Sequence, residues 1–221
     1  MGLTPEYIEG QTPLDDDEQE GLLITTIATR GELDEFEQLN IEEAIIWSLR
    51  RPFKLEDVFT ESFIKTLHIK MYGNVWQWAG EFRKSNKNIG VDKFEISVEL
   101  NKLLNDTIYW IENKIFEPDE IAIRFKHRLV SIHCFPNGNG RHSRLIADII
   151  IEKIFKLNVF SWGANNLTHA GEARKNIYMH LELLIEGIIN CCWNLQDLKL
   201  KLKNLSKLKI QTNLFFFGKW N

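Results

Sequence analysis

Ser131-Ile-His-Cys-Phe-Pro-Asn-Gly-Asn-Gly-Arg-His-Ser-Arg144 places one histidine directly before a Gly/Asn-rich turn and two arginines at the start of an apolar run. Upstream, Ile121, Phe125, Leu129 and Ile132 recur at helical spacing and run into His133. Downstream, Leu145, Ile146, Ile149, Ile150, Ile151 and Ile154 make a helix from Arg141 to about Lys156 apolar on most sides, as a central buried helix is. The stretch therefore reads as a tight turn between two core helices. Glycine lets backbone N–H groups approach an anion, and a helix start adds its dipole and unpaired donors. Arginine supplies a planar fork suited to phosphate oxygens. A base beside an anion cradle points to phosphate-transfer chemistry, with His133 taking the acceptor's proton.

Working outward, the 221 residues suit one sizeable domain with a short arm or tail. Hydrophobic residues at 44% and charged residues at 26% are ordinary for a globular chain, and the formal charge of −4 argues against a surface that coats nucleic acid. Cys134, Cys191 and Cys192 form neither a disulfide framework nor a metal-ligand spacing. No leader-like or membrane-length apolar window stands out, so a cytoplasmic location without membrane or direct nucleic-acid contact is expected.

Residues 1–31 read as an extended arm: Gly10–Glu18 is turn-like and acidic, and Thr25–Thr29 is short and β-branched. Helical periodicity begins at Glu32, with Leu33, Phe36, Ile41, Ala44, Ile45 and Ser48 on one face, and Arg51-Pro52 ends it. A second helix is expected over Leu55–Tyr72, with Gly73 as its cap. Residues 74–96 read as a hairpin or flap with a polar tip at Asn86-Lys-Asn88, or as a surface loop anchored by Trp76 and Trp78. A third helix spans Glu95–Asn113, a fourth starts at Pro118, and a sixth follows from Asn165 to about Asn190. The class is mainly α with a small hairpin. Cys134 beside His133 suggests a Cys/His nucleophile, but adjacent residues at a helix end usually point apart.

His133-Cys-Phe-Pro-Asn-Gly-Asn-Gly-Arg-His-Ser-Arg144 resembles the Fic-domain signature at His133, Phe135, Gly138, Asn139, Gly140, Arg141 and Arg144. More narrowly, Gly10–Glu18, Trp76-Gln-Trp-Ala-Gly-Glu-Phe-Arg83 and the Pro-Asn-Gly-Asn-Gly-Arg-His-Ser-Arg form resemble the group called mobile mystery protein B. The resemblance implies a Fic-type helical bundle over 32–190 with a small β-hairpin flap over the active site. It also implies a protein adenylyltransferase that moves AMP from ATP, with Mg²⁺, to a Ser, Thr or Tyr hydroxyl of a target protein. His133 would be the general base and Phe135 the buried support of the loop. Gly138, Asn139 and Gly140 would form the anion hole, and Arg141 and Arg144 would face the outer phosphates. Ser85, Asn86, Lys87, Asn88 and Ile89 would dock the target by strand addition. A helix-turn-helix partner acting as antitoxin or repressor is implied as well.

Three departures modify this expectation. Asn137 stands where the pattern has the acid that binds Mg²⁺, so the metal is held mainly by the nucleotide, or activity is weaker, or the group transferred differs. That keeps open transfer of another phosphate-containing group, or a catalytically weak module acting through its partner. No strict Ser/Thr-x-x-x-Glu-Gly/Asn inhibitory motif is present; an unrecognised inhibitor would fall within residues 15–40. Beyond Tyr178 the family's text stops. A one-nucleotide shift of Met179–Gln196 can restore it, so residues 179–221 are expected to be a frameshifted terminus. The Lys-rich 191–221 tail, with its Cys pair and Phe triplet, fits that origin. A membrane- or nucleic-acid-binding tail is the alternative reading.

Overall fold

The computed structural model describes residues 16–160 and 162. All elements named below lie in the first of two units, Met1–Val159. They are helices: α1 (Asp16–Glu20), α2 (Arg30–Leu49), α3 (Leu55–Val58), α4 (Glu61–Tyr72), α5 (Ile96–Glu112), α6 (Pro118–Ile132) and α7 (Asn139–Ile149). A π-helical turn, Ile150–Ile154, extends α7. The sixth predicted helix, the Lys-rich tail and the frameshift expected near residue 178 lie outside the described residues.

Local chemistry sets the boundaries. Thr29 caps α2 in a reciprocal capping box with Glu32, so this helix begins two residues before the expected Glu32. The single helix expected over 55–72 is broken at Phe59-Thr60, because the Thr60 hydroxyl accepts from Phe63 N–H and starts α4 afresh. Pro118 opens α6, where its missing N–H leaves no gap.

α2 packs on α4, while α6 packs on α5 and α7. Leu67, Leu100, Leu103, Phe125, Phe135, Ile146 and Ile150 form the fully buried core where these faces meet. The middle of α7 is buried on nearly all sides, as its apolar sequence requires.

The expected β-hairpin at Ser85–Ile89 is corrected: among the described residues no strand forms, and the only bridge pairs Leu22 with Trp76. Side chains have taken the groups a ladder would use. Arg83 Nη1 donates to Ser85 O at 2.8 Å and Arg83 Nη2 donates to Val91 O. Asn86 Oδ1 accepts from Lys93 N–H at 2.8 Å, and its amide donates to Asp92 at 2.9 Å. The result is an irregular loop with internal bracing. Part of the predicted arm reaches it: Lys87 and Glu18 form an ion pair at 2.5 Å with side chains only 4% and 9% exposed. The same arm donates Leu23 N–H to Val75 O, and its Gly21 carbonyl accepts from Gln77 N–H.

Candidate active site

α6 ends at His133, whose backbone is left-handed (φ 56°, ψ 61°), an uncommon conformation for a residue bearing a Cβ. Arg83 holds it there. Its Nε donates to His133 O at 2.7 Å and its own N–H donates to Cys134 O at 2.9 Å. The exit of the loop lies against the same histidine: a Cβ on Gly90 (φ 107°) would stand 2.7 Å from His133 Cβ. Only glycine fits that approach.

His133 is 5% exposed, and among the described residues neither ring nitrogen has a hydrogen-bond partner. Burial first, and then the Arg83 charge, lower its pKa to about 4. At neutral pH it is an uncharged imidazole with an uncommitted lone pair, the form a general base requires. An anion bound beside it would raise that pKa toward neutrality. Burial pushes the neighbouring Cys134 thiol up to about 12, which removes it as a nucleophile.

The turn after His133 is braced by three side chains. Phe135 is fully buried and stacks on His68 with ring centroids 3.8 Å apart. His68 Nδ1 accepts from Gly80 N–H at 3.0 Å, so its proton sits on Nε2, which donates to Asn137 O at 3.1 Å. Asn139 closes both ends of its amide on Phe135: Oδ1 accepts from Phe135 N–H at 2.9 Å and Nδ2 donates to Phe135 O at 2.7 Å. Its side chain therefore braces the loop, with both ends of the amide engaged.

Gly138 caps α7 with φ 78°. A Cβ there would meet the Tyr72 ring and hydroxyl at 2.5–2.6 Å, whereas Gly140 faces open space. The start of α7 is thus open on its Gly140 side, where first-turn N–H groups have no partner within the helix. Arg141, in its first turn, pairs with the buried Glu37 of α2 at 2.7 Å and lies 5.2 Å above the Tyr72 ring. Arg144 falls about one turn further on, near α6, where after burial its charge lowers the pKa of Lys126. Asn137 Oδ1 accepts from Gly138 N–H at 2.6 Å. That oxygen has a partner already and brings no charge, and among the described residues no group of three or more acidic, His or Cys side chains is arranged to hold a metal ion. These residues do not fit a protein-held Mg²⁺.

The predicted base, turn glycines and Arg141 thus come together, and the Ser85–Ile89 loop lies against the same corner through Arg83 and Gly90. The sequence reading did not single out His68, Tyr72, Arg83 or Glu37. Arg83 stood inside the quoted Trp76–Arg83 string. Glu37 is one acid among many on α2, and His68 shares a face with Leu67 and Met71, so neither carried a distinguishing signal.

Residues 58–151 match the family model described as Fic/DOC family. The protein adenylyltransferase Fic of Aedes aegypti is 29% identical over 136 residues, covering 59% of this chain but 27% of that protein. The match thus spans about a quarter of the relative's length. BepC, a VirB-translocated effector protein of Bartonella tribocorum crystallised with AMPPNP, is 18% identical. The match covers 62% of this chain and 79% of that one with a TM-score of 0.51. The helical fold is therefore the Fic fold.

Proposed function

We propose that this site transfers AMP from ATP to a Ser, Thr or Tyr hydroxyl of a protein target. One observation carries the reading: a buried His133 with no hydrogen-bond partner on either ring nitrogen among the described residues caps α6 one short loop before the start of α7. His133 accepts the hydroxyl proton on a ring nitrogen as the acceptor oxygen attacks the α-phosphorus. The bond to the α–β bridging oxygen breaks and pyrophosphate leaves. The chain's contribution is positioning and charge neutralisation. Backbone N–H groups of Asn139 and Gly140 meet the phosphates, and Arg141 and Arg144 supply fixed positive charge. The Arg83-braced loop, next to His133, is where the target segment docks. Names and ligands of the relatives, an adenylyltransferase and an AMPPNP-bound effector, agree with this reading.

A second reading is favoured by two contacts, Asn137 Oδ1 on its own loop and Arg141 on Glu37. With both groups engaged, the domain is a weak catalyst, transfers a different phosphate-containing group, or acts through a helix-turn-helix partner. Incubation with α-labelled ATP and Mg²⁺ separates these. Label on protein that disappears in His133→Ala supports AMP transfer. Label only from the γ-position points to another group, and no label with retained partner binding supports the binding module.

A further inference from the structure

Tyr72, the last residue of α4, is packed beneath the turn that starts α7. It is 1% exposed and touches His68, Gly138 and Arg141. Nothing in this packing requires its hydroxyl, since a phenylalanine ring would fill the same space against Gly138 and His68. Yet the hydroxyl oxygen is buried, and among the described residues it has no hydrogen-bond partner. A buried hydroxyl without a partner destabilises the fold that holds it.

Its position suggests what the cost is for. The Oη atom lies 2.6 Å from where a Gly138 Cβ would stand, so it abuts the N-cap of an 11-residue helix whose first-turn N–H groups have no partner within the helix. The Arg141 guanidinium roofs the ring and is the exposed wall of this corner, at 31%. A backbone anion site, a permanent cation and an unsatisfied donor therefore converge.

We propose that Tyr72 Oη–H is a phosphate ligand of this site. It donates to an oxygen of a nucleotide's phosphate chain seated on the start of α7, once that chain has drawn Arg141 off the ring. The inference rests on the nucleotide reading above and adds to it a donor from α4. Burial raises the Tyr72 pKa, so the group stays a protonated donor across the physiological range. A hydrogen bond from a neutral hydroxyl to an anionic oxygen is of the charge-assisted kind.

Tyr72→Phe tests this without disturbing the packing. Binding of ADP and of adenosine to wild type and Y72F is measured by titration calorimetry, and the unfolding temperature of each unliganded protein is recorded. The expected result is roughly tenfold weaker ADP binding in Y72F, the loss of about one charge-assisted bond. Adenosine affinity is unchanged, and the unliganded variant melts no lower than wild type. Equal ADP affinity in the two proteins overturns the inference, as does equal weakening of ADP and adenosine. A lower melting temperature with unchanged ADP binding would assign the hydroxyl a structural role instead. If wild type binds no ADP at all, the nucleotide reading itself falls and this one with it. ADP binding by wild type that Y72F leaves intact removes only the Tyr72 assignment.

Discussion

The Glu37 carboxylate grips Arg141 across the α2–α7 junction, with Oε2 2.7 Å from Nη1, while its Oε1 accepts from Trp76 Nε1 at 2.7 Å. Glu37 is 1% exposed, so its charge is compensated almost entirely by these two groups. A chain-distant acid thereby fixes an arginine proposed to face phosphates. Glu37→Gln keeps an oxygen for Trp76 and removes the charge. In a cycle with Arg141→Gln, unfolding free energies should show a coupling of about 1–3 kcal/mol, below the fully buried range because Arg141 reaches solvent. Strict additivity of the two substitutions would show that the pair is not energetically coupled.

His68 joins two segments that have no covalent reason to stay together, Gly80 before the loop and Asn137 in the turn. His68→Phe preserves a ring against Phe135 but leaves a buried N–H and a half-buried carbonyl unpaired. Urea unfolding should show a loss of about 2–4 kcal/mol, one desolvation penalty for each group. A loss under about 0.5 kcal/mol would mean that neither bond matters.

Stability should fall on the acid side. Burial lowers the pKa of His142 to about 4, lowers His133 to about 4 with help from Arg83, and places His68 well below its ordinary value. Below pH 6.5 the unfolded chain takes up these protons before the native one does, so it binds more protons and stability declines as pH drops. The contribution is complete above about pH 6.5 and lost progressively toward pH 4. Each histidine adds a slope of roughly 1.4 kcal/mol per pH unit between its two pKa values. Urea midpoints at pH 7.0, 5.5 and 4.5 measure it; a midpoint independent of pH would contradict the neutral burial of these rings.

Gly138 and Gly140 should respond oppositely to alanine. Gly138→Ala combines a left-handed backbone with a 2.5 Å clash on Tyr72, and a loss of about 2–4 kcal/mol is expected. Gly140 lies in α7 with open space where a Cβ would go, so alanine there should leave the melting temperature equal or higher. The methyl would nevertheless project where phosphates are proposed to approach. Nucleotide affinity in Gly140→Ala should drop at least tenfold, read by calorimetry on a protein of unimpaired stability. Unchanged affinity would place the anion elsewhere.

Periodicity and punctuation were enough to read α2, α5, α6 and α7 to within a few residues, because their boundaries are set by adjacent groups such as Thr29 with Glu32, Pro118, and the turn glycines. The break at Thr60 was missed because a threonine inside an apolar helical pattern looks the same whether or not its hydroxyl caps.

The string His133–Arg144 by itself determined which groups could do chemistry: one base, one glycine turn and two arginines within a dozen residues. Tertiary structure decided their state. Burial and Arg83 make His133 neutral; His68 and Asn139 hold the turn; Glu37 and Tyr72 flank Arg141; and Arg83 replaces a β-ladder with a braced loop. The physical reason is range. Helix signals and glycine turns act over three or four residues, whereas desolvation, ion pairing and orphaned donors depend on groups that only folding brings within 3 Å.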